Sequence, residues 1–322
     1  MATSTQQPPV ARLPFGPARS GKTKWLFVLL GVGVIAVSFS AIFIKWTPAP
    51  ASVIGMYRLL FTLPLVLPMV VRRRREIRQV RRQDAALLAL SGVFLGLHFL
   101  CWIGSFAYTS VASSMILLSL QPVFVMIGAY FLFGERTRLG GILAMLLALI
   151  GSAVIALADA QGPHRALYGD MLSLLGTLAV SGYMLTGQRL RTRMDSGIYS
   201  FFVFLGAAAL LAVYNLWLGI PFAPYPKQAW WMFVLMAVIP TLFGHSLFNW
   251  LLQHIRATHI SMAILGEPVG AILLACLLLG APLRPLQAIG GLLTLGGVCL
   301  FLKLGTPESE NEFQKDAGYD VD

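Results

Sequence analysis

Glu267 stands in the middle of a long apolar segment, in the run Ile264-Leu265-Gly266-Glu267-Pro268-Val269-Gly270, and it is the one acidic side chain so placed. A charged carboxylate near the middle of a hydrocarbon layer costs roughly 2.5 to 3.5 kcal/mol, so it is kept where a cavity, a partner or a proton accommodates it. Such a group can hold a cation or exchange a proton. Gln121-Pro122 lies 146 positions earlier in a similar apolar run. Proline lacks a backbone donor and clashes with the carbonyl one turn back, so Leu118 and Ile264 are expected to keep carbonyls that their own helices do not pair. Exposed backbone of that kind is tolerated where protein or a water-filled cavity satisfies it. The bland alternative is a pair of structural kinks, with Gly266 and Gly270 allowing close helix packing. Here Glu267 is read as a substrate or proton site, Gln121 as its uncharged counterpart, and Pro122 and Pro268 as helix breaks.

Two further pairs share helix faces by their four-residue spacing: His98 with Trp102, and His245 with Asn249. Histidine titrates near neutrality and can relay protons, or it can simply bond a neighbouring helix. No His-Glu-x-x-His or Cys-x-x-Cys spacing occurs, so no metal and no other cofactor is expected. Arg58 is the other intramembrane charge; it can snorkel outward, bind a substrate carboxylate or pair with helix-end carbonyls, and a structural role is the preferred reading. Cys101, Cys276 and Cys299 lie in apolar segments and read as buried, inert thiols. Trp25, Trp46, Trp217, Trp230 and Trp231 read as interfacial anchors.

The elements that position these residues are apolar runs near 20 long, in a 322-residue chain that is 57% hydrophobic, 11% charged and has a mean hydropathy of +0.76. A spanning helix needs about 20 such residues. Ten segments are predicted: 25–44, 51–71, 85–106, 112–133, 140–157, 168–188, 198–218, 229–252, 257–279 and 285–304. The first is anchor-length and is followed by Lys45-Trp46 without a small-residue cleavage pattern, so it is read as retained. Residues 1–24, with Pro8, Pro9, Pro14 and Pro17, read as a flexible tail, and residues 305–322, rich in acids, as a second disordered tail.

A net charge of +11 would suggest nucleic acid in a soluble chain. Here the charges sort by membrane side instead. With ten spans and the amino terminus inside, 19 Lys and Arg fall in cytoplasmic segments, including seven arginines between Arg72 and Arg82, against four outside: Lys45, Arg165, Lys227 and Arg284. That asymmetry predicts a multi-pass protein with both termini cytoplasmic. The arginine run reads as a topology determinant in contact with anionic lipid, and no nucleic-acid partner is expected.

A shift of 146 residues lays Pro122 on Pro268, Gly134 on Gly280, Leu146 on Leu292 and Gly151 on Gly297. A shift of 143 lays Ala36-Val37-Ser38 on Ala179-Val180-Ser181. Each half thus has five spans, 25–157 and 168–304. An odd number inverts the second half in the membrane, as in secondary transporters.

With Ser38-Phe39-Ser40 and Lys45, Arg58, Pro122 with Gly134-Glu135, and Gly266-Glu267-Pro268 with Gly280, the chain resembles the drug/metabolite transporter superfamily, specifically its ten-helix EamA-type members. The resemblance covers about residues 25–304. Ala281 departs from it, where such proteins often carry an acid matching Glu135. The resemblance implies an all-α polytopic fold of two inverted five-helix repeats, and a central cavity lined by helices 1, 3, 4, 6, 8 and 9. Ser38, Ser40, Ser181 and Tyr183 lie in the paired segments 1 and 6, and Tyr183, Trp102 and Trp250 are then candidate wall residues. It also implies export.

The expected function is secondary transport of a small amphipathic metabolite across a bacterial inner membrane by alternating access. An amino acid or amine fits an acid among aromatic and apolar walls, with protons as a second partner of Glu267. A monomer and a homodimer are equally compatible with the chain. The alternative within transport is a nucleotide-sugar or sugar-phosphate exchanger, which needs several mid-membrane cations where Arg58 alone qualifies. An intramembrane enzyme would need clustered acids, a histidine dyad near a carboxylate, or metal ligands on one face. No soluble domain is predicted in this chain, so direct ATP drive is not expected.

Overall fold

A computed structural model of the protein describes residues 20–78, 80–109, 111–157, 166–280 and 283–304. Both expected tails beyond those limits, the loop charge Arg165 and the departure at Ala281 lie outside the described residues. The helix of the first span already begins at Ser20, so the last five residues of the expected amino-terminal tail are helical.

In a hydrocarbon layer every backbone polar group must be paired within its own segment, which leaves helix as the structure open to these apolar runs. Among the described residues ten long helices result: α1 (apolar stretch Trp25–Lys45 of the helix that starts at Ser20), α2 (Ala51–Arg72), α3 (Arg82–Ser105), α4 (Ser113–Phe133), α5 (Leu139–Leu157), α6 (Ala166–Leu190), α7 (Ser196–Trp217), α8 (Lys227–Leu251), α9 (Ala257–Leu278) and α10 (Pro285–Leu304). Eight of them are long and apolar enough to cross a membrane among the described residues; α5 offers a shorter apolar stretch, Leu139–Ile155. The sixth, α6, is long, but Ser173, Thr177 and Ser181 dilute its apolar character. Those hydroxyls bond to α4, which is why they are tolerated.

Starts and stops follow local chemistry. Asp195 caps α7 by accepting from the Gly197 amide at 2.8 Å. Gly134 and Gly280, residues 146 apart, end α4 and α9 with φ of 68° and 62°, where a side chain would be strained. Outward-facing Phe131 and Leu146, like their counterparts Leu277 and Leu292, form part of an apolar girdle suited to lipid.

The helix neighbours obey a two-fold rule. Exchanging each helix for the one five places along converts α3–α6 into α8–α1, α3–α7 into α8–α2 and α4–α6 into α9–α1; α2–α7, α4–α9 and α5–α10 convert into themselves. The α5–α10 contact shows the rule at atomic scale. A Cβ on Gly151 would lie 2.4 Å from the Thr294 amide and 2.6 Å from the Gly290 carbonyl, and one on Gly297 would lie 2.5 Å from the Ala148 amide and 2.7 Å from the Ala144 carbonyl. These are the same contacts displaced by 146 residues, and they run antiparallel.

Four helices are interrupted where they approach the centre. α1 is broken at Phe39, α4 between Leu118 and Gln121, and α9 between Ile264 and Glu267. In α8, Ala237–Ser246 widens into a π-helix that contains Pro240. Such widened turns are rare and recur at functional sites.

Candidate functional site

The breaks in α4 and α9 face each other. After Leu118 and Ile264 the chain tightens, with Leu120 N–H reaching Leu117 O at 3.2 Å and Gly266 N–H reaching Ala263 O at 2.9 Å. Pro122 and Pro268 then sit at the start of the next helical piece, where a missing N–H costs least. The Leu117 carbonyl gains a second donor, Thr177 Oγ1 of α6, at 3.2 Å. Between the breaks lies a space of about 10 Å³ bounded by five matched pairs: Met115 with Ser261, Leu118 with Ile264, Ser119 with Leu265, Gln121 with Glu267, and Pro122 with Pro268. Every pair differs by 146, so the two-fold axis passes through this point. Gly266 and Gly270 let α9 close on α1, since a Cβ on them would meet Val34 at 3.2 Å and Ser38 Oγ at 2.2 Å.

Beside it is a second space lined by two residues from each of six helices: Val37 and Ser40 of α1, His98 and Trp102 of α3, Leu118 and Gln121 of α4, Val180 and Met184 of α6, His245 and Phe248 of α8, and Ile264 and Glu267 of α9. These are the helices that the resemblance implies. The free space is about 30 Å³ counted over positions for the centre of a water, room for about two waters at roughly 10 to 15 Å³ each.

Glu267 is 6% exposed, and no described residue hydrogen-bonds to its carboxylate. Its counterpart is held: Gln121 Nε2 donates to the Met184 sulfur at 3.1 Å, a weak acceptor that fixes the amide without competing strongly for it. His98 bonds the Gly176 carbonyl of α6 through Nδ1 at 3.0 Å and stacks on Trp102 with ring planes 7° apart. The Trp102 indole N–H is buried without a partner. His245 sits edge-on to Phe99 at 5.4 Å. The wall thus offers one acid, two imidazoles, the unpartnered Trp102 indole donor, the Gln121 amide and the Ser40 hydroxyl among apolar side chains.

Several predicted residues lie elsewhere. Ser38 turns back to the Val34 carbonyl at 2.8 Å and packs at Gly270. Ser181 donates to Thr177 O at 2.7 Å on its own helix. Trp250 packs at a tilt against His254, with ring centroids 4.4 Å apart, rather than walling the cavity, and Trp230 belongs to an aromatic cluster with Tyr57, Phe61 and Phe233 rather than standing alone at an interface. Cys101 and Cys276 are half-buried and Cys299 is exposed, so the buried-thiol reading gives way. Arg58 does not snorkel, because its side chain is fully buried; Nε donates to Thr241 Oγ1 of the π-helical segment at 3.0 Å and the guanidinium lies 4.3 Å over the Phe99 ring.

Tyr183 and Asn249 close the site toward the arginine-rich face. The Tyr183 hydroxyl donates to Asn249 Oδ1, and Asn249 Nδ2 donates to Ser200 at 3.0 Å. Arg191 continues this seal, donating to the carbonyls of Asn249 at 2.7 Å and of Met194, and to Gln253 at 2.9 Å. Gln188 clasps Glu135 at 2.7 Å and the Ala257 amide at 2.6 Å. The opposite face is tied by hydroxyls: Ser105 to Ser114 at 2.7 Å, Ser114 to Ser173 at 3.0 Å, and Thr109 to Asp170 at 2.7 Å. Met184, Phe99, Thr241 and the Arg191 seal escape a sequence reading, because nothing in their local spacing marks them; Thr241 alone had a signal, its place after Pro240.

A family model described as "EamA-like transporter family" matches the chain twice, over residues 23–157 and 167–303. A protein of Archaeoglobus fulgidus named "Uncharacterized transporter" is 26% identical over 261 residues, covering 81% of this chain and 90% of its own length. "Uncharacterized transporter YoaV" of Bacillus subtilis is 21% identical over 248 residues, covering 76% and 84%. A crystal structure of a protein superimposes with a TM-score of 0.75 over 89% of this chain and 98% of that one, at 18% identity, a likeness of fold.

Proposed function

The chain belongs to the EamA-like transporter family, and from that premise we propose that it is a secondary transporter exporting a small amphipathic metabolite with an ammonium group, an amino acid or amine, across a bacterial inner membrane. The observation that carries this reading is the unpartnered acid Glu267, set at a double helix break on the two-fold axis and facing a small cavity lined by six helices. An ammonium group would supply the charge that the carboxylate lacks, while Trp102, Phe248 and the aliphatic walls would cover the apolar remainder.

The antiparallel α5–α10 contacts and the exchange of helix neighbours support an inverted repeat. In that arrangement alternating access is an exchange of roles between mates: the Tyr183–Asn249 and Gln188 contacts open while the Ser105–Ser114–Ser173 ties hold, and the reverse. The arginine-rich connections are assigned to the cytoplasm. Proton coupling follows if substrate and proton exclude one another at Glu267, because an inward proton gradient then drives substrate out.

The test is flux in proteoliposomes with an imposed pH gradient, using a labelled amino-acid and amine panel. Accumulation against a substrate gradient that collapses with a protonophore supports coupled export. Equilibration at every pH gradient would leave a facilitator, and no flux of any panel member would remove the substrate assignment.

A further inference from the structure

Arg58 is a buried cation with no ion pair among the described residues. Its side chain has no solvent exposure, and neither Nη1 nor Nη2 has a hydrogen-bond partner. The groups that face it come from three helices: His98 and Phe99 of α3, Thr241 and His245 of α8, and Glu267 of α9. Of these only Glu267 is an acid, and no ion pair joins it to Arg58 among the described residues. Thr241 meets one donor and Phe99 offers a ring face. The fork of the guanidinium is left unmet, in a place where unpaired charge is costly.

That fork lies one side chain away from the cavity. Phe99, which it overlies, has its ring 5.1 Å from His98 and 5.4 Å from His245, and both histidines line the cavity. A rotation of the Phe99 ring would open Arg58 to whatever occupies the centre. Two parallel N–H groups match the two oxygens of a carboxylate, the pairing at which arginine excels.

Resting on the transporter reading above, we propose that Arg58 is the subsite for a substrate carboxylate, uncovered when Phe99 moves, so that Arg58 and Glu267 together select a zwitterionic amino acid over a simple amine. Glu267 takes the ammonium group and Arg58 the carboxylate. The bond to Thr241 aims the fork and ties the bound carboxylate to the π-helical segment of α8.

The test uses the full-length protein in vesicles and two matched ligand sets, one built on leucine and one on phenylalanine. Each set contains the amino acid, the amine lacking its carboxyl group (isoamylamine or phenethylamine) and the amino-acid amide, read by thermal stabilisation and by counterflow. The amino acid should bind about tenfold more tightly than amine or amide, the lower end for a charge-assisted pair. Arg58→Gln should bring the three ligands to within about threefold of one another, with Arg58→Lys intermediate because a point charge lacks the fork. Equal binding of amino acid, amine and amide by the wild type overturns the proposal, as does an Arg58→Gln protein that keeps the preference. If Arg58→Gln does not fold, the wild-type ligand series decides alone. Binding that needs Glu267 but ignores the carboxylate would remove Arg58 and leave the transporter reading standing, whereas binding of no member would remove both.

Discussion

The breaks in α4 and α9 have the same backbone and different chemistry. Both leave the helix at a matched residue, tighten over the next turn, and resume at Gln121 or Glu267, one residue before a proline. Yet Gln121 is secured by Met184 and the nearby Leu117 carbonyl by Thr177, while Glu267 has no hydrogen-bond partner among the described residues. The scaffold is two-fold and the site is not. Under the proposed transport mechanism, symmetry would give the carrier two equivalent ways to open, and the departure from symmetry would give it something to bind.

The sharpest way to break this contrast is to erase it. Glu267→Gln should leave a folded protein, since the amide keeps the shape, but lower exchange of labelled amino acid at least tenfold, because a hydrogen bond to a charged group contributes about 1.5 to 3 kcal/mol. Normal exchange across pH would reduce Glu267 to packing. The swapped variant, Gln121→Glu with Glu267→Gln, should stay within a few-fold of that low rate, because the acid then faces Met184 and a supported turn. Recovery to near wild type would show that position on the axis matters and surroundings do not.

The scaffold half of the contrast is sharpened by glycines. Gly151→Ala and Gly297→Ala each push a methyl group into backbone of the partner helix, so each should lower stability by about 1 to 3 kcal/mol. The two losses should agree in thermal melts; a large difference would mean that the α5–α10 contact is not shared equally. The smallest effect is expected at Glu135. Its pairing with Arg256 is long, 3.9 Å, and partly exposed, worth about 0.2 to 1 kcal/mol, and the amide of Glu135→Gln can still accept from Gln188. Transport should fall less than about threefold, and a collapse in the same flux assay would make the Gln188 clasp a gate.

Much of this was legible in the chain because it rests on spacing. The 146-residue offset between Gln121-Pro122 and Glu267-Pro268 already places two breaks opposite each other, and the glycines at 134 and 280 already mark where both helices stop. Partners were less legible. The four-residue spacing of His245 and Asn249 shows a shared face, but not that Asn249 would meet Tyr183 while His245 met Phe99. Arg58 was harder still: hydropathy says that a charge is buried, and only packing reveals that its guanidinium lies over the Phe99 ring with both Nη atoms unpaired. The π-helical stretch of α8 leaves no trace beyond Pro240, since a widened turn changes hydrogen-bond register without changing composition.

The smallness of the central space has an electrical consequence. With room for about two waters at this point and polar ties on both faces, the described residues show no continuous column of water through the central space. Small ions that reach it therefore meet a dielectric barrier. On the proposed transport reading, a carrier built this way could stand idle in a membrane without short-circuiting its potential.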